Sequence, residues 1–204
     1  MLPDPYSSNV RASILLRDVD VQKREELTLM NQLRTDTLTG VLNRGAFLDA
    51  AKSVFTQPLN GGLHALVMVD VDHFKRINDK YGHGYGDRVL ARICDLLRNA
   101  LRADDLVGRI GGDEFVLLLK NVVNREALQM KINSLCTQLY QSASDKLEVS
   151  CSFGAATYPQ DGTDFDELYR KADAALYAAQ EAGRNCTRIY QADMGRTMPL
   201  FELA

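Results

Sequence analysis

LVGRIGGDEFVLLL, residues 106–119, sets two short apolar runs on either side of Gly111–Gly112–Asp113–Glu114. Leu106–Ile110 and Phe115–Leu119 read as strands, and a Gly-Gly pair between two strands is the tight connection of a β-hairpin. The plain interpretation stops at a hairpin with a polar tip. A fixed turn carrying two adjacent carboxylates resists it, because glycines without a Cβ also let a ligand approach the backbone closely.

Upstream, His64–Val71 (HALVMVDV) is a nearly continuous apolar run ending in carboxylates, the pattern of a central strand covered on both faces. Asp70 and Asp72 stand at its exit, an edge where ligands commonly sit, and strand alternation puts them on one side. Strand-end aspartates also start turns and cap helices, so this pair alone decides little. If the 111–114 turn lies beside Asp70, three or four acidic groups converge without a balancing cation. Such a cluster is unfavourable unless a divalent cation binds, and all-oxygen ligands favour Mg²⁺ or Mn²⁺. In phosphoryl chemistry a metal pair lowers the pKa of an attacking hydroxyl and neutralises charge on a triphosphate.

The surrounding chain alternates helices and strands. Helices are expected at Arg44–Phe55, Tyr85–Leu101, Arg125–Tyr140 and Phe165–Glu181, and further strands at Leu147–Thr157 and Cys186–Tyr190. The fold class is α/β, an α+β sandwich in which a mainly antiparallel central sheet is flanked by helices. The expected organisation is an N-terminal strand and linker helix (1–35), a catalytic domain (36–191) and a C-terminal tail (192–204). In the first segment Val10–Leu16 reads as a strand and Val21–Arg34 as a helix. Two turns of apolar spacing do not separate a coiled coil from an amphipathic helix packed on its own domain.

Composition narrows the partners. A chain of 204 residues suits one compact domain with extra segments at its ends. Its net charge of −3 gives no global pull toward nucleic acid or anionic membrane, so a polyphosphate must be held by local cations or metal. Cys94, Cys136, Cys151 and Cys186 form no CxxC pair, which favours reduced, largely buried thiols. Neither a membrane-spanning run nor a signal-peptide pattern is visible, and the expected location is cytoplasmic.

Five ordered stretches carry a resemblance: DTLTGVLNR (36–44), DVDHFKRINDKYGHGYGD (70–87), RADDLVGRIGGDEF (102–115), SCSFGAA (150–156) and ADAALYAAQEAGRN (172–185). Asp36–Tyr190 thereby resembles the GGDEF family of diguanylate cyclases, enzymes with a nucleotidyl-cyclase, polymerase-palm-like fold that join two GTP into cyclic di-GMP. The resemblance implies two Mg²⁺ or Mn²⁺ ions per active site, held by Asp70, the backbone carbonyl of Val71, Asp113 and Glu114. Asp113 and Glu114 are the implied catalytic residues, with Asp113 matching the base for the ribose 3′-hydroxyl, acting directly or through its metal. Asn78 and Asp87 match the pair that reads guanine; a carboxylate can accept from N1–H and the 2-amino group together, which adenine does not offer. The backbone at His73, Phe74 and Lys75 matches a phosphate-cradling turn, and Arg184 matches a ligand of the terminal phosphates.

The same resemblance implies a homodimer, since each domain binds one GTP and two must face each other for in-line attack. Arg102 and Asp105 form an RxxD pair at the offset of the family's inhibitory product site, with Arg125 a candidate second arginine. In an arbitrary protein RxxD is a surface ion pair. One departure stands out: Gln180 occupies a position where the family usually has lysine. Losing a cation beside a triphosphate weakens binding by about 1–2 kcal/mol and raises KM. An alternative function is therefore a catalytically weak domain that binds GTP or cyclic di-GMP as a regulatory module.

Other polar residues have plainer expectations. Asp36 and Arg44 are structural, His83 belongs to a Gly-rich turn, His64 starts a strand, and Asp173 meets a basic neighbour. Arg109 contacts phosphate or merely offsets the carboxylates. SILLRDVDVQKREE (13–26) resembles the last strand and exit helix of PAS sensor domains, which implies fusion to, or a position downstream of, a sensor.

Overall fold

The computed structural model describes residues 34–56, 59, 61–141 and 149–194. The expected strand at Val10–Leu16, all but the end of the expected helix at Val21–Arg34, the PAS-like stretch, and the tail beyond residue 194 lie outside them.

In chain order the elements are β1 (Leu42–Asn43), α1 (Arg44–Phe55), β2 (Leu63–Val71), α2 (Phe74–Tyr81), α3 (His83–Ala100), β3 (Leu106–Arg109), β4 (Glu114–Val122), α4 (Arg125–Gln141), β5 (Cys151–Tyr158), α5 (Phe165–Glu181) and β6 (Thr187–Ile189). They form one six-stranded sheet in the order β1-β3-β4-β2-β5-β6. The three inner pairings are antiparallel, whereas β1 with β3 and β5 with β6 run parallel at the edges. The sheet is thus mixed, with the antiparallel character in its centre.

β2 is the axis of the molecule, and its residues Leu63–Val69 are all buried. Val67, Val69 and Val71 face a core shared with Ile77, Leu90, Ile93, Leu97, Leu128 and Ile132, from α2, α3 and α4. Leu66 and Met68 face a second core with Phe47, Ala51, Leu168, Ala172 and Leu176, from α1 and α5. Helices on both faces explain why β2 reads as a continuous apolar run and not an alternating one. The exception is its last turn of pleat, where the half-buried Asp70 emerges.

The apparent two-glycine hairpin is longer than expected. Arg109 pairs with Phe115, and Ile110 N–H donates to the Glu114 carbonyl at 3.0 Å, so residues 110–113 span the turn. Neither Gly111 nor Gly112 takes the left-handed conformation that a two-residue primed turn would demand. Their lack of side chain matters for another reason, given below.

Candidate functional site

Antiparallel pairing sets Asp70 directly opposite Glu114, and Val71 N–H donates to the Asp113 carbonyl at 3.3 Å. Directly opposed residues share a face of the sheet, so the carboxylates of the strand end and of the turn converge as expected. Electrostatics register it. Burial, then the charges of Asp113 and Glu114, push the Asp70 carboxyl up from 3.8 to about 7, against a hydrogen bond from Gln180. Glu114 is also raised, by burial and then by Asp113 and Asp173, with Arg44 pulling the other way. Arg44 therefore lies close enough to offset Glu114, and Asp173, expected to meet a basic neighbour, adds to the negative charge and forms no ion pair among the described residues.

A Cβ at Gly111 would lie 2.4 Å from Glu114 Oε2, so the Glu114 side chain as it stands uses the space that this glycine leaves. A Cβ on Gly112 would meet nothing within 4 Å, so that side of the turn is open to a ligand.

The donor set fits a hard divalent cation in its chemistry, being oxygen acids that raise one another's pKa with little cationic relief. A closed coordination shell is a separate matter. Among the described residues, no group of three or more His, Cys, Asp or Glu side chains is arranged to hold a metal ion. Asp70 Oδ1 accepts from Gln180 Nε2 at 3.0 Å, and Glu114 is folded over Gly111.

Beside the carboxylates, α2 and α3 build a second feature. The Oδ1 of Asn78 is buried without a hydrogen-bond partner among the described residues. A Cβ on Gly86 would lie 1.9 Å from that oxygen, so the amide occupies space that only a glycine leaves. Asp87, the next residue, is exposed on the same helix pair. An acceptor without a partner among the described residues, next to an exposed carboxylate, suits a ligand edge rich in N–H donors. α2 begins at His73, whose backbone is left-handed (φ 55°) and whose side chain caps nothing. Arg76 and Ile77 N–H both go to the His73 carbonyl, leaving Phe74 and Lys75 N–H unpaired among the described residues.

Asp72 is the residue that sequence reasoning left ambiguous. It is buried, accepting from Ser150 Oγ and Ser152 Oγ at 2.7 Å each and from Asn185 N–H at 3.0 Å. It ties the exit of β2 to β5 and to the turn that carries Arg184, an exposed residue with φ of 65°. Asp72 is an anchor, a role shown only by the fold, which brings Ser150, Ser152 and Asn185 to it.

Arg109 resolves as structural. Its Nη1 pairs with Asp36 at 3.0 Å while Nη2 donates to the Gly112 carbonyl at 2.6 Å, which pins the turn to the start of the domain. Asp36 also accepts from Thr39 N–H and Oγ1, as a structural residue should. Arg102 and Asp105 do meet, through the Arg102 backbone N–H on Asp105 Oδ2 at 3.0 Å. The other oxygen, Oδ1, takes Lys120 N–H at 2.9 Å, and the Arg102 side chain is exposed. Arg125 is committed elsewhere, to Asp161 at 2.8 Å, Thr157 at 3.0 Å and the Tyr190 carbonyl at 2.6 Å. An open groove of about 920 Å³ between α4 and β6, lined by Gln129, Asn133, Thr187 and Arg188, contains none of the expected catalytic, metal or nucleotide residues.

Comparison with known proteins follows the same outline. The family described as "Diguanylate cyclase, GGDEF domain" matches residues 33–186. Diguanylate cyclase DgcS of Shewanella oneidensis is 35% identical over 159 residues, covering 78% of this chain and 53% of that protein. The bifunctional diguanylate cyclase/cyclic di-GMP phosphodiesterase MucR of Pseudomonas aeruginosa is 34% identical over 187 residues, covering 90% of this chain and 27% of that protein. The chain thus spans about a quarter to a half of these relatives. In fold it superposes on the coiled coil and GGDEF domain of DgcB from Caulobacter crescentus, crystallised with c-di-GMP, with a TM-score of 0.79 at 23% identity over 90% of this chain and 99% of that one. No helix among the described residues is long and apolar enough to cross a membrane.

Proposed function

The chain belongs to the GGDEF family of diguanylate cyclases, and on that footing we propose that it condenses two GTP into cyclic di-GMP. The observation that carries this is the convergence of Asp70, Asp113 and Glu114 at the strand end and turn, where burial and then the two neighbouring carboxylates push the Asp70 carboxyl up to about 7. In each half-reaction a 3′-hydroxyl oxygen bonds to the α-phosphorus of the facing GTP. The bond to the β,γ-pyrophosphate breaks, and the hydroxyl proton passes to Asp113. Two such steps close the ring and release two pyrophosphates. One domain holds one GTP, so the active species is a two-fold homodimer.

Asn78 and Asp87 take the guanine edge, Asn78 through the buried acceptor that has no partner among the described residues. Phe74 and Lys75 offer backbone N–H groups to the phosphates at the start of α2, and Arg184 reaches the terminal phosphates. Asp70, the Val71 carbonyl, Asp113 and Glu114 would hold Mg²⁺ or Mn²⁺, two per site, which supplies charge neutralisation and a more acidic hydroxyl. Arg102 and Asp105 form the product-inhibition site, cyclic di-GMP being the effector. In the longer protein a sensor segment upstream would set how the two domains meet.

Incubating purified protein with GTP and Mg²⁺ and identifying the product is the direct test. Cyclic di-GMP is expected, and Asp113→Ala should abolish it. GTP binding without any cyclic di-GMP, even at high protein concentration, would favour the regulatory-module alternative for which Gln180 speaks.

A further inference from the structure

Gln180 lies on the last turn of α5, half-buried, one residue beyond the fully buried Ala179. Its Nε2 donates to Asp70 Oδ1 at 3.0 Å, across 110 residues of sequence. Every titrating neighbour that bears on Asp70, namely Asp113, Glu114 and Asp72, is acidic. Gln180 is its hydrogen-bond donor among the described residues.

An amide at this place differs from an ammonium in two ways. It fixes the orientation of the carboxylate while leaving its full negative charge for an incoming cation. A lysine would neutralise that charge and compete with a metal for the same oxygen. An amide also brings no positive charge to a triphosphate, so of residues 180 and 184 only Arg184 is cationic.

Resting on the cyclase reading above, we infer that Gln180 is a positioning residue: it holds Asp70 Oδ1 ready for a divalent cation and shifts the grip on the triphosphate from a side-chain cation to the metal. Two consequences are measurable on the full chain without turnover. Metal binding should depend on residue 180, and GTP affinity should depend on metal more steeply than in a variant carrying lysine.

The experiment titrates Mn²⁺ alone into wild type, Gln180→Ala, Gln180→Lys and Asp70→Ala, reading free Mn²⁺ by electron paramagnetic resonance. It then measures GTP binding in EDTA and in Ca²⁺, where turnover is suppressed. Gln180→Ala should weaken Mn²⁺ binding about tenfold, the scale on which partners of metal ligands act. Gln180→Lys should weaken it at least as much, yet bind GTP in EDTA about fivefold more tightly than wild type. Mn²⁺ affinity unchanged in both Gln180 variants but lost in Asp70→Ala would overturn the inference and leave the cyclase reading standing. Should wild type and Asp70→Ala both fail to bind Mn²⁺, the metal-dependent reading itself falls, and the inference with it. Gln180→Lys binding GTP in EDTA no better than wild type would remove the triphosphate half. Thermal melts of the four proteins in EDTA establish that each is folded.

Discussion

Replacing Asp70 by asparagine should stabilise the metal-free protein while destroying its activity. The carboxyl titrates at about 7 in the folded chain, against an ordinary value of 3.8, because of burial and then its acidic neighbours. At about 1.36 kcal/mol per pKa unit the ionised form costs up to about 4 kcal/mol; screening of a half-exposed group reduces this to about 2 kcal/mol. The folded state holds a proton on Asp70 up to about pH 7 that the unfolded chain has already released near 3.8. The penalty is therefore absent below about pH 4, grows between there and 7, and is complete above 7. Asparagine has the same shape, can still accept from Gln180, and carries no charge. Thermal melts in EDTA at pH 8 should place Asp70→Asn about 4–8 °C above wild type, for a domain of this size. About a third of the gain should remain at pH 5. Adding Mn²⁺ should raise wild type toward the variant and leave the variant nearly unmoved. No gain at pH 8, or an undiminished gain at pH 5, would refute the charge-cluster account of this site.

Three other outcomes follow from the geometry. Arg102→Ala should relieve product inhibition, raising the inhibitory concentration of cyclic di-GMP about tenfold or more, with no change in melting temperature because that side chain is exposed; unchanged inhibition would remove the RxxD site. Gly86→Ala should weaken GTP binding about tenfold by displacing the Asn78 amide, while the melt moves little, since the helix-propensity gain of about 1 kcal/mol offsets the repacking; calorimetric GTP titration checks it. Arg125→Ala should cost about 3 kcal/mol in urea unfolding at pH 7, because Asp161 stays buried without its cation and the Tyr190 carbonyl loses its donor.

What was legible in the sequence was whatever left a local imprint. β2 showed itself because it is covered on both faces, and α5 because Leu168, Ala172, Leu176 and Ala179 repeat at helical spacing. The helix α2 was given no bounds from the residues: Phe74, Ile77 and Tyr81 stand at helical spacing, but the element is eight residues long and mostly polar, with Ile77 alone fully buried, so two turns of period were too few to mark it, and only the resemblance implied a helix start there. Strand β1 is two residues long, shorter than any pattern can mark. The carboxylates at the site were found because strand ends and turns are local features. The role of Asp72 was hidden, since Ser150, Ser152 and Asn185 lie 78, 80 and 113 residues away. The Gly-Gly pair was read as a tight connection open to a ligand; that Glu114 folds over Gly111 depends on a side-chain conformation the sequence does not mark.

These pieces depend on one helix more than the motif at the turn suggests. α5 presses so closely on β5 that a Cβ on Gly154 would lie 2.0 Å from Leu176 N. That contact sets the depth of the helix, and the depth lets Gln180 reach Asp70 from one end of it. The chain then turns at Gly183–Arg184–Asn185, where the Asn185 N–H is fastened to Asp72, two residues from Asp70. The oxygen acids and the Arg184 turn are therefore fixed to a common strand end, one through a side-chain amide and the other through a backbone N–H. Charge repulsion at that strand end would otherwise favour spreading the strands or reorienting the acids. Asp72, itself buried and saturated by three donors, resists this without adding a cation. The mutually repelling acids at this strand end are thus held in place by neutral donors.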